Sequence, residues 1–265
     1  RLTEPLDTVI SGGLNTASTT DDDTRQVLEL LYDKSEREAT CEDGFRARPN
    51  LGCLHLSEHL NNVLTRNENA KNFLSALANA ATGSSTDVPV MVTASVFGGT
   101  GASLIPVVRE CIERALDRTQ GTMVNKDRLH WNAIKILPHY QPRERKESVD
   151  PDRFLLDTAS ALQFYSKVYR TSDEMYDGVY VIGSDNPGRN QVEAHLGSAA
   201  QSNPAYFEEF MAGLAMLDAV GQSSQSDQTK VRVFVPDSNQ AQLQWQHLPY
   251  GNTSALREQF AYLLH

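Results

Sequence analysis

The residues with the most pointed chemistry in this chain are Gly98-Gly99-Thr100-Gly101-Ala102-Ser103. Glycine lets a backbone turn tightly and approach an anion closely. A helix starting directly after such a turn offers unbonded N–H groups and the positive end of its dipole. Thr100 and Ser103 add hydroxyl donors, so the spacing points to phosphate binding. The competing reading is a tight strand-to-helix turn that binds nothing, but several glycines with hydroxyls exceed what a turn requires. A P-loop would end in Gly-Lys-Ser/Thr, and no lysine follows here. A dinucleotide fingerprint needs a third glycine roughly where Leu104 stands. It also needs an acid after the next strand, where Leu137-Pro138-His139-Tyr140 has none.

Other constellations are weaker. His55-Leu56-Ser57-Glu58-His59 has the HxxEH spacing, which on a helix sets two histidines one turn apart as zinc ligands with Glu58 as base. A third ligand is wanting, and Leu54, Leu56 and Leu60 suit a helix whose histidines meet a surface or a partner. Lys126-Asp127-Arg128 and Arg143-Glu144-Arg145-Lys146-Glu147 read as solvated loops, or as a subunit contact. No GxSxG elbow supports serine catalysis. Tyr206, Phe207 and Phe210, at helical spacing, read as core.

The elements around the loop alternate. Helices are expected at 25–33 and 54–64, then one from about Asn69 with Phe73, Leu74, Leu77 and Ala81 on one face. Val88 to Phe97 reads as a strand buried on both sides. A helix follows the loop, with a stripe of Leu104, Val107, Val108, Cys111, Ala115 and Leu116. Pro106 fits it only in the first turn. Trp131 to Leu137 is a strand stopped by Pro138. Phe154 to Tyr169 is a helix with Leu155, Thr158, Leu162, Tyr165 and Tyr169 on one side. Gly178 to Gly183 is a strand. Asn203-Pro204 opens a helix that turns Phe207, Phe210, Met211, Leu214 and Leu217 inward. Val231 to Val235 is a strand, and 253–264 a helix. This alternation predicts an α/β fold, a doubly wound, mostly parallel sheet with helices on both faces. Ligands of such sheets bind at the carboxyl ends of the strands. Residues 1–24 are expected to be a polar, mobile segment, 25–220 the nucleotide-binding domain, and 221–265 the start of a C-terminal extension or of a second domain.

The 265 residues suffice for one large domain or two small ones. A formal net charge of -10 argues against general affinity for nucleic acid or anionic membrane. No apolar run approaches the ~20 residues of a membrane span. Three cysteines without CxxC spacing give neither a disulfide framework nor a zinc knuckle. With no signal peptide visible, a cytoplasmic location is expected.

Ser95-Val96-Phe97-Gly98-Gly99-Thr100-Gly101-Ala102-Ser103 resembles the tubulin signature loop of the tubulin/FtsZ superfamily. It is most similar to the Phe-Gly-Gly-Thr-Gly-Ala variant of bacterial tubulin-like proteins. Gly44-Phe45-Arg46-Ala47-Arg48-Pro49 looks like a segment preceding that loop. Asp157-Thr158-Ala159-Ser160-Ala161-Leu162, then Tyr180-Val181-Ile182-Gly183-Ser184-Asp185-Asn186, is similar in order to tubulin's helix and the strand after it. Asn203-Pro204-Ala205-Tyr206-Phe207 would open the long central helix or its neighbour. The resemblance spans roughly residues 44–220, with the glycine loop its one specific motif.

The resemblance implies a tubulin/FtsZ-like domain in which residues 98–103 hold the phosphates of GTP or GDP, with magnesium as a further expected cofactor. Asn186 would contact the base, helped by Asp185. Gly213-Leu214 with Asp218 is similar to the family's catalytic loop, which makes Asp218 the implied acid; inside a good helix it otherwise reads as a cap or a solvated side chain. Head-to-tail self-assembly into a filament is implied, with hydrolysis dependent on it. The family also opens with a strand and a second glycine-rich loop. None is visible before residue 98, and Gly12-Gly13 lacks a preceding apolar strand. That departure supports an alternative, a scaffold with a degenerate nucleotide site inside a larger complex. An NAD(P)-linked enzyme is the third reading.

Overall fold

The computed structural model describes residues 26, 30, 32, 49–120, 124–142, 151–171, 175–184, 190–192, 206–222 and 231–234. The expected segment 1–24 and the helix 253–264 lie outside them. Of the helix expected at 25–33, only Gln26, Leu30 and Tyr32 are described, the first two as helical.

Helix α1 (Pro49–Arg66) and helix α2 (Glu68–Gly83) precede strand β1 (Val88–Ser95). Asn67 separates the helices by capping α2, its side chain accepting from the Ala70 N–H at 3.1 Å. After β1 come α3 (Gly99–Leu104), α4 (Val108–Gln120), strand β2 (Leu129–Ile136) and the two-residue β3 (Gln141–Pro142). Helix α5 (Pro151–Thr171) leads to β4 (Gly178–Ile182), followed by the short β5 (Gln191–Val192). Helix α6 (Phe207–Gln222) leads to β6 (Val231–Phe234).

The main sheet runs β1-β2-β4-β6 with every pair parallel. The architecture is therefore α/β, as the alternation predicts. Among the described strands the order advances in one direction only. Among the described residues β1 pairs with β2 alone, which is why Pro89 is tolerated there without a ladder donor.

Strand alternation divides the core. Val92 of β1, Leu129, Trp131 and Ala133 of β2 and Val179 of β4 face a cluster built by α2, α4 and α5. Ile134, Tyr180 and Ile182 face the other way, onto Met211, Leu214, Ala215 and Ala219 of α6. Helices thus cover both faces of the sheet. Among the described residues no helix is long and apolar enough to cross a membrane.

Several apolar side chains sit differently from expectation. Phe73, Leu155, Phe207 and Leu217 are exposed. Each lies beside the buried stripe, and small residues take the inward positions instead: Ala78 and Ala81 on α2, Ala161 on α5, Ala212, Ala215 and Ala219 on α6. Alanine lets a helix seat close to the sheet, which tilts the larger neighbours outward.

The helix expected after the glycine loop is two helices. Pro106 lies between α3 and α4 rather than in the first turn of one. Its missing N–H leaves the carbonyl four residues back, that of Ala102, without its helical donor. The Tyr165 hydroxyl of α5 donates to that carbonyl at 2.5 Å. The Tyr176 hydroxyl donates to the Ile105 carbonyl at 2.6 Å. Two tyrosines thus serve the carbonyls at the break, and they fasten α3 to the layer beneath it.

Candidate functional site

β1 ends at the carboxyl edge of the sheet, where the Val96 N–H donates to the Ile136 carbonyl at 3.0 Å. Val96 and Phe97 are buried, so the chain reaches the loop from inside the core. Gly98 is extended, with φ -99° and ψ 149°, and caps α3 without a side-chain hydrogen bond. The first ladder bond of α3 runs from the Ala102 N–H to the Gly98 carbonyl at 3.1 Å. The N–H groups of Gly99, Thr100 and Gly101 therefore precede the ladder, and Thr100 is exposed. Three backbone donors sit together at the strand's carboxyl end, a geometry suited to an anion.

The glycines do separate work. A Cβ at Gly101 would collide with the Ser95 carbonyl oxygen, and would stand 3.1 Å from the Ser95 carbonyl carbon and nitrogen. Residue 101 must be glycine for α3 to fold back on the end of β1. A Cβ at Gly98 would meet only Ser95 Oγ, at 3.5 Å, an ordinary contact. Glycine at 98 is not a packing requirement.

Ser103 points inward. It is fully buried, and its hydroxyl lies within hydrogen-bond reach of the Gly99 carbonyl and, at 2.9 Å, of the Pro49 carbonyl. The Cys53 thiol approaches the Ser103 carbonyl at 3.6 Å, and burial raises that thiol's pKa to about 11. These contacts lock α3 to the start of α1. Ala102 is buried beside them.

The remaining residues singled out by sequence scatter. Asp218, on α6, accepts from the Tyr180 hydroxyl at 2.8 Å, which ties it to the middle of β4. Asn186 and Asp185 lie outside the described residues. His55 is fully buried in α1, and its pKa is lowered by burial first and by His59 second. Among the described residues, no three His, Cys, Asp or Glu side chains gather as a metal site.

Two features beside the loop escape sequence reading. Phe97, His139, Tyr140 and Tyr206 form an aromatic cluster at the carboxyl edge, with His139 and Tyr206 centroids 5.1 Å apart and Tyr140 stacked on Tyr206. His139 Nδ1 lies 3.1 Å from the Leu137 carbonyl. Burial, then Tyr206 and Glu209, raise the Tyr140 pKa. The second feature is Lys135, 3 % exposed near the end of β2. Its signal was a single charge in Trp131-Asn132-Ala133-Ile134-Lys135-Ile136, at the same strand parity as Trp131 and Ala133. Comparison with protein-family models, curated proteins and solved structures finds no match to this chain.

Proposed function

We propose that this chain is a tubulin/FtsZ-like guanine-nucleotide-binding protein that holds the phosphates of GTP or GDP, with magnesium, at residues 98–103. One observation carries the reading: the three N–H groups of Gly99, Thr100 and Gly101 lie ahead of the α3 ladder at the carboxyl end of a parallel strand. Ala102 and Ser103 are framework within that loop, and Gly98 leaves its mouth clear. The base contact at Asn186 and head-to-tail assembly come from the resemblance. Asp218 as catalytic acid has less support, because Tyr180 already holds its carboxylate inside the subunit.

Gly98→Asp tests the reading. Aspartate is a good N-cap, so α3 keeps or gains stability. The same carboxylate puts a negative charge at the phosphate position. Labelled GTP, ATP and NAD are titrated into both proteins. The expected result is binding by the original chain with a preference for GTP, and at least about a hundredfold weaker binding by the variant. A folded chain that binds no GTP overturns the guanine assignment, and equal binding by Gly98→Asp places the nucleotide elsewhere.

A second reading, a scaffold with a degenerate site, draws on Gly101 and Ser103. Both are accounted for by packing alone. Electron microscopy with and without GTP separates the two, because a scaffold assembles regardless of nucleotide.

A further inference from the structure

We draw no further inference here: the strongest candidate, the outer edge of β1 at Met91 and Thr93, between Pro89 and the fold-back of α3 on Ser95, carries nothing because nothing in the structure shows what covers it.

Discussion

Tyr165→Phe removes the hydroxyl that serves the Ala102 carbonyl and keeps the ring under Lys135. Ala102 is buried, so its carbonyl is left without a donor, and a buried unmet acceptor costs about 1–3 kcal/mol. The acceptor needs that hydroxyl because Pro106, four residues on, has no N–H. This gives the substitution a partner. Pro106→Ala restores an N–H at the position that bonds Ala102 in a continuous helix. In that background, Tyr165→Phe should cost under about 1 kcal/mol, since the carbonyl regains a donor. The interaction energy across the cycle should therefore be at least about 1 kcal/mol, beyond the few tenths expected for independent sites. Urea denaturation of the four proteins, followed by circular dichroism with m-values compared, measures it. Equal costs of Tyr165→Phe in the two backgrounds would refute the link between the proline break and the tyrosine.

Further outcomes follow from the same contacts. Gly101→Ala should destabilise by about 2 kcal/mol or more, because its Cβ meets main chain that cannot move aside, whereas Gly98→Ala should change stability by under about 1 kcal/mol; comparing the two denaturation midpoints checks this. Tyr180→Phe and Asp218→Asn should each cost about 1 kcal/mol, and the double variant should cost less than their sum, as measured by a second denaturation cycle. Lys135 has a folded pKa lowered to about 7 from 10.5, so between those values the unfolded chain binds more protons and stability rises with pH. Lys135→Met removes that slope, so its stability advantage over the original chain should shrink from pH 7 to pH 9. An advantage that stays constant over that range would contradict the burial effect.

The alternation of strand and helix was legible because each element is set by local spacing. β1, β2 and β4 fall within two residues of their expected limits, and α2 starts one residue before its expected position. What pattern alone could not resolve was competition for space. On α6, sequence turns Phe207, Met211, Leu214 and Leu217 inward, but only Met211 and Leu214 of these are buried, and Ala212, Ala215 and Ala219 fill the rest of the sheet-facing side. Pro106 shows the same limit. Its position within a helical stripe was plain, yet whether it begins a helix or splits one depends on a donor 59 residues away, Tyr165. Lys135 is a lone charge in its strand, and nothing local to it marks it as buried. Its burial follows from the sheet partners and from α5, neither of which is a local property.

The glycine loop needs a division of labour that its composition conceals. A run such as Gly98-Gly99-Thr100-Gly101 suggests that every glycine serves a ligand. Gly101 serves the fold, since nothing larger lets α3 pack on the end of β1. Ser103, which looks like a phosphate donor, faces the Pro49 and Gly99 carbonyls. Neither residue can distinguish a nucleotide site from a tight turn, because both would be required either way. Gly98 is different. It is extended, has room for a side chain, and stands where an Asp or Ser cap would stabilise the helix. A turn selected only for folding gains from such a cap, whereas an anion site loses by the charge of an aspartate. Gly98, which the fold does not need, thereby adds to what the three amides of Gly99, Thr100 and Gly101 offer an anion.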